Sequence, residues 1–261
     1  MFENHQIEGA LWERWGREIR RVELDMMMRH VPLGKSATVL ELGCGEGFQL
    51  GLLRKRFDRA FAIDPERRPE SAPGFACSAA EALPFPDEFF DLVFSCCVLE
   101  HVASRPRTIE EAVRVLRPGG YMAHALPGRT WKASSVLLNP VAYPLHVLGK
   151  WSALRHSGAQ QESAEDASIR FSRPGIRRVL HRYFYPEIHG TFSSHWTEYV
   201  SWGRKQWTKA LSHPELTRVA EVPLLSYGAF GLLRFRGMGA RVWLARHGLA
   251  GSWALILRKA G

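Results

Sequence analysis

Thr38-Val-Leu-Glu-Leu42 is a short apolar run with a single acid, and three glycines follow it at alternate positions, Gly43, Gly45 and Gly47. A run of that kind reads as a buried parallel strand. The amphipathic segment beyond it (Phe48, Leu50, Leu52, Leu53, Phe57) reads as a helix. Glycine allows positive φ and leaves bare backbone for a ligand to lie against, so strand, glycine turn and helix together form a nucleotide cradle. About twenty residues past the first glycine, the run Ala60-Phe-Ala-Ile63 ends in Asp64. An acid at that strand tip is placed to hydrogen-bond a ribose diol. The spacing excludes the dinucleotide fingerprint G-x-G-x-x-G, because Phe48 stands where its third glycine belongs.

The 261 residues suffice for one good core with an appendage, and 46% of them are hydrophobic, which excludes a disordered chain. Cys44, Cys77, Cys96 and Cys97 form no C-x-x-C pair, and they read as reduced core thiols in a cytoplasmic protein. The N-terminus carries acids and no apolar signal segment, and Ser134 to Leu148, the most membrane-like run, is broken by Asn139, Pro140 and Pro144. Of 35 lysines and arginines and 26 acids, 16 and 19 lie in residues 1–126, which leaves 19 cations against 7 acids beyond. That excess predicts either plain solubility or an anionic partner, such as a phosphorylated acceptor, a membrane surface or nucleic acid.

Further along, Ala80-Glu-Ala-Leu-Pro-Phe-Pro-Asp87 leads into the apolar run Phe89 to Ser95, and Ser95-Cys-Cys-Val-Leu-Glu-His-Val102 continues it. Thr108 to Leu116 has helical periodicity, and Arg117-Pro-Gly-Gly120 turns into a further strand, Tyr121 to Leu126. With Glu41-x-Gly43-x-Gly45-x-Gly47, these segments resemble the class I S-adenosylmethionine-dependent methyltransferases, including type 11 and quinone-biosynthesis members. The resemblance is good over residues 36–126 and looser over the last two strands. It implies an α/β, Rossmann-like sheet of seven mostly parallel strands, helices on both faces, an antiparallel last strand and an inserted helical acceptor region. The implied plan is a helical cap over 1–35, a cofactor-binding core over 36–126, an acceptor-specificity insertion over 127–195 and a sheet-completing segment over 196–261.

The implied cofactor is S-adenosyl-L-methionine, which leaves as S-adenosyl-L-homocysteine. Its expected contacts are Glu41, Gly43, Cys44, Gly45, Gly47, Asp64, Pro65, Ala80, Glu81, Ser95 and Cys96. The family's adenine-binding aspartate falls at Ala79 here, so backbone, water or Glu81 must meet the exocyclic amine. Methyl transfer needs orientation and desolvation first, and a base only for a weakly acidic acceptor. His101 is the candidate base, and it competes with a structural role. His189, His195 and Trp196 are candidates for the acceptor side, where the aromatic residues around them serve equally well as core. No metal is required. The expected acceptor is a small or lipid-linked molecule, methylated at oxygen.

The remaining expectations are structural. Residues 5–30 predict a leading helix, and the three prolines between Asp64 and Gly74 predict an eroded crossover before a short strand, Phe75 to Cys77. Pro174 to Tyr183 predicts a basic helix, Trp196 to Leu211 another, and Thr217 to Leu225 and Ser252 to Leu257 the last two strands. Phe230 to Leu249 interleaves arginines (Arg234, Arg236, Arg241, Arg246) with apolar residues, which suits peripheral contact with anionic lipid or simple packing on the sheet. RNA methylation and a non-catalytic cofactor-binding role stand as rivals. Against the first, the chain has neither a recognised RNA-binding module nor an Asn-Pro-Pro-Tyr-type motif.

Overall fold

The computed structural model describes residues 3–66, 73–140, 188–225 and 238–261. Seven strands form one sheet in the order β3-β2-β1-β4-β5-β7-β6. They are β1 (Thr38–Leu42), β2 (Arg59–Asp64), β3 (Phe75–Cys77), β4 (Phe90–Cys96), β5 (Leu116–Pro127), β6 (Leu216–Pro223) and β7 (Ser252–Lys259). Strands β1 to β5 pair in parallel, while β7 runs antiparallel to both β5 and β6. This is the Rossmann-like arrangement expected from the sequence. From β1 the chain goes outward through β2 and β3, then returns to β4 on the other side. That reversal opens a crevice at the C-terminal ends of β1 and β4, where ligands of open α/β sheets bind.

Strand β1 is buried along its whole length because it lies mid-sheet with both faces covered. Alternation divides its side chains. Leu40 and Leu42 join Val93, Met122 and Leu126 on one face, and Val39 joins Leu92, Phe94 and Ala123 on the other. The second face receives Leu24 and Met27 from helix α1 (Glu3–Met28) and Leu50 and Leu53 from α2 (Phe48–Arg54). The first receives Ile109, Ala112 and Val113 from α3 (Arg105–Val115), whose amino end is capped by the Ser104 side chain accepting from Arg107 N. Each fully buried leucine contributes roughly 1.5–3 kcal/mol. Lys259, at the end of β7, donates from Nζ to the carbonyls of Val113 and Leu116, a cation on the carbonyl end of α3.

Residues 129–140 belong to helix α4. Where a single helix was expected over Trp196–Leu211, there are two, α5 (His195–Ser201) and α6 (Arg204–Ala210). Gly203 is extended at the break, and Trp202, only 2% exposed, anchors the corner in the core. A capping box between Ser194 and Thr197 closes the amino end of α5. The expected turn at Arg117–Gly120 appears as a bulge within β5: Leu116 pairs with Phe90 and Tyr121 with Leu92, and Gly119 takes φ +77°.

Helix α7 (Met238–Leu244) and a wide helical turn over Ala245–Leu249 precede β7. Arg241 is 2% exposed, so it belongs to the interior rather than to the outward basic face expected of it. Arg234, Arg236, the Pro174–Tyr183 helix, most of the 127–195 insertion and the proline-rich crossover lie outside the described residues. Among the described residues, no helix is long and apolar enough to cross a membrane.

Candidate functional site

All three glycines of the loop after β1 have positive φ, at +65°, +52° and +79° for Gly43, Gly45 and Gly47. Gly43 also faces a tight contact, since a Cβ there would lie 2.6 Å from Val98 Cγ2. Any other residue would have to push Val98, and the segment after β4 with it, away from the loop. Cys44 N donates to Ile63 O at 3.1 Å, and Gly45 N donates to Asp64 Oδ2 at 2.8 Å. The acid at the tip of β2 thus holds the glycine loop, while its Oδ1 accepts from Glu66 N.

Glu41 occupies the fourth position of β1, and at 2% exposure it is inside the protein. Its Oε2 has no hydrogen-bond partner among the described residues. Burial, with the negative charge of Asp64 next in importance, pushes the Glu41 carboxyl up to about 8. A buried acid beside a second acid is an incomplete arrangement, and a cation beside it would complete the pair. An amino-acid ammonium fits that requirement, and the bare glycine backbone leaves room for its attachment. The donor set therefore fits S-adenosylmethionine.

The other expected cofactor residues are distributed around this loop. Ala80 is buried at the mouth of β3, and Pro65 is exposed, with its carbonyl accepting from Cys77 Sγ. Glu81 is engaged elsewhere than with a free adenine edge, its Oε1 accepting from Ala103 N at 2.7 Å and Ser104 N at 3.1 Å. Ser95 turns into the sheet face, where its Oγ is 2.7 Å from His124 Nδ1. Cys44 is half-buried against the α1–α2 side of the core. Cys96 Sγ accepts from Arg20 Nη1 at 2.7 Å, and Cys97, at φ +55°, lies beside it. A hydrogen bond from Cys96, aided by the Arg20 guanidinium, lowers the Cys97 thiol to about 5.

His101 closes a turn that begins at Val98, donating its N–H to Val98 O at 2.8 Å. Its Nε2 is 3.2 Å from Nε2 of His189, which is 88 positions away in the chain. The neighbouring Gly190 makes that meeting possible. It has φ +81°, and a Cβ on it would lie 2.6 Å from Glu100 O, which also accepts from Thr191 N. Trp131 of α4 and Trp202 at the α5–α6 corner flank the His189 ring, with centroids at 5.4 and 5.9 Å. Burial lowers the pKa of both imidazoles, which favours their neutral forms. His195 and Trp196 are placed differently. His195 Nδ1 is 3.9 Å from Glu198 Oε2, and Trp196, 71% exposed, stacks on Tyr199.

Three groups were not singled out from sequence. Glu100 is fully buried, its Oε1 lying 4.0 Å from His101 Nε2 and 3.9 Å from His189 Nε2. Lys132 and Glu198 form a buried pair at 2.5 Å that docks α5 on α4. Arg129 adds bonds from its guanidinium to the carbonyls of Tyr199 and Val200.

The family model for the methyltransferase domain matches residues 40–124, the segment from mid-β1 to β5 that carries the glycine loop, Asp64 and His101. Residues 40–124 are thus similar to a methyltransferase domain. It is 31% identical over 117 residues to a malonyl-[acyl-carrier protein] O-methyltransferase of Marinomonas sp. (strain MWYL1), covering 40% of this chain and 43% of that one. It is 29% identical over 188 residues to the 27-O-demethylrifamycin SV methyltransferase of Amycolatopsis mediterranei (strain S699), covering 61% and 66%. The chain thus spans about half the length of the curated relatives it matches. An S-adenosylmethionine-dependent methyltransferase of Mesorhizobium loti shares the fold, with a TM-score of 0.53, 14% identity, and coverage of 91% and 97%. That neighbour is named for dependence on S-adenosylmethionine, and the donor set of Glu41 and the glycine loop fits the same molecule. The matched segment contains Glu100 and His101 but ends before His189, so the histidine pair joins the methyltransferase domain to a region beyond it.

Proposed function

We propose that this chain transfers a methyl group from S-adenosylmethionine to an oxygen of a small-molecule or lipid-linked acceptor. The observation that carries the reading is the packing of Val98 on Gly43, which sets the His101–His189 pair one short turn from the glycine loop. Bound S-adenosylmethionine supplies a methyl on a sulfonium sulfur, open to in-line displacement. Glu41 holds the ammonium, the backbone at Gly43, Gly45 and Gly47 the methionine chain, and Asp64 the ribose hydroxyls. His101 Nε2 takes up the proton of the acceptor hydroxyl, and His189 relays it outward. Trp131 and Trp202 hold the His189 ring in place, while His101 is exposed on the acceptor side. A base so placed contributes roughly a hundredfold or more. The two curated relatives, both named for methylation at oxygen, support the choice of atom. A peripheral contact with anionic membrane, through the exposed Trp243, Arg246 and Leu249, belongs to the same reading.

The test is incubation with cofactor labelled on the methyl group and cell-extract fractions of small molecules, lipids and RNA. Label is expected in a small-molecule or lipid fraction, and His101→Ala should lower turnover by roughly a hundredfold with cofactor affinity unchanged. Label confined to RNA, or cofactor binding without transfer to any fraction, would overturn the reading.

A further inference from the structure

We infer that Glu100, His101 and His189 form a binding site for a divalent transition-metal cation at the acceptor side of the domain. The three side chains offer one ligand atom each, all within 4.8 Å of one another. The two Nε2 atoms are 3.2 Å apart. With metal–nitrogen bonds of 2.0–2.1 Å, that separation subtends about 100° at the ion, close to a tetrahedral angle. Glu100 Oε1 stands 4.0 and 3.9 Å from the two nitrogens, and an approach of about half an ångström brings it into tetrahedral range.

Glu100 itself is the second observation. Its side chain is fully buried, and neither carboxylate oxygen has a hydrogen-bond partner among the described residues. A buried carboxylate in that condition requires either a proton or a cation. Arg20 and Arg105 act on it electrostatically without hydrogen-bonding to it, since Arg20 bonds to Cys96 and Glu23 and Arg105 to Leu99 O, while Lys132 pairs with Glu198. Cys97, as the thiolate, acts electrostatically on both Glu100 and His101. The site is also built on purpose-made backbone. Gly190 alone lets the His189 segment lie against Glu100 O, because a Cβ would stand 2.6 Å from that oxygen.

Two imidazoles and one carboxylate leave coordination positions open, as in sites where the metal polarises a bound oxygen. A cation here would occupy His101 Nε2, and would take over from that imidazole by polarising an acceptor hydroxyl bound at an open position. That role rests on the proposed methyl transfer, whereas the binding site itself does not.

The experiment therefore measures binding without cofactor or acceptor. The full chain, stripped with chelator and desalted, is titrated with Zn2+ by calorimetry and with Co2+ by visible absorption. One tight equivalent is expected, with Co2+ bands of the intensity that tetrahedral coordination gives. His189→Gln should weaken binding about tenfold or more, and Glu100→Gln should do the same while preserving side-chain volume. Thermal melts of both variants identify any loss of fold, and the half-buried His189 carries less structural risk than the fully buried Glu100. Absence of tight binding by the folded chain would overturn the inference. So would Zn2+ affinity in the folded His189→Gln protein equal to that of the parent, which would place the ion on other histidines or cysteines.

Discussion

Ser95 Oγ and His124 Nδ1 meet at 2.7 Å in the middle of the sheet, where β4 and β5 place the two residues in direct register. Both are fully buried, and burial lowers His124 to about 4. The folded protein thus keeps this imidazole neutral at pH values where an unfolded chain, near 6.5, has protonated it. Stability from this group is fully present above pH 6.5 and is lost as pH falls through 4. The loss amounts to about 3 kcal/mol. Urea unfolding between pH 7 and 4 should show it, and His124→Leu should flatten that part of the profile. An equal slope in the variant would show that other groups drive the acid sensitivity.

Asp64 does two things at once, holding Gly45 N through Oδ2 and standing at the tip of β2 for a ribose. Asp64→Ala removes both and should weaken S-adenosylmethionine binding by roughly tenfold or more. Asp64→Asn keeps an oxygen for Gly45 N and should retain part of the affinity. Calorimetry of the two variants separates the roles, and an unchanged affinity in Asp64→Ala would move the ribose elsewhere.

The first half of this molecule was legible because its signals are local. The apolar run at Thr38–Leu42, the glycines after it and the acid ending Ala60–Asp64 each declare one element and its place in the sheet. Interactions distant in sequence were not legible. Nothing near His101 announces that His189 will reach it, since the meeting depends on Gly190 fitting against Glu100 O. Nothing in the run Ser95–Val102 announces that Glu100 will be fully buried. The break at Gly203 was hidden because one glycine is tolerated in a helical pattern, and only the burial of Trp202 turns it into a corner. Arg241 was read as outward by its company, yet α7 turns it inward.

The exposed end of α7 carries the membrane expectation. Trp243 and Leu249 are 58% and 50% exposed, and Arg246 is exposed beside them. An interfacial tryptophan with a neighbouring cation, worth about 1 kcal/mol on an anionic surface, suits a peripheral contact. The protein should sediment with anionic vesicles at low salt and release at high salt. Trp243→Ala combined with Arg246→Ser should reduce the bound fraction, while Arg241, being buried, should not act through its charge at the surface. Equal recovery in the supernatant with anionic and neutral vesicles would remove membrane contact from the proposed function.

Glu41 makes the cofactor site sensitive to pH in a direction that can be worked out. In the free protein its carboxyl is raised to about 8, by burial first and by Asp64 second, so it is largely protonated at neutral pH. An acid whose folded pKa exceeds its unfolded value stabilises the fold below the unfolded pKa, near 4.5, and loses that contribution as pH rises through 8. The cofactor's ammonium reverses the preference, because it favours the carboxylate. Binding near pH 7 should therefore release a proton from Glu41 and strengthen as pH rises towards 8. Calorimetry in buffers of different ionisation enthalpy measures that proton directly. Glu41→Gln should abolish the release, weaken binding by roughly tenfold and raise the thermal stability of the free protein at pH 8. Proton release persisting in the Glu41→Gln protein would show that the ammonium is held by another group.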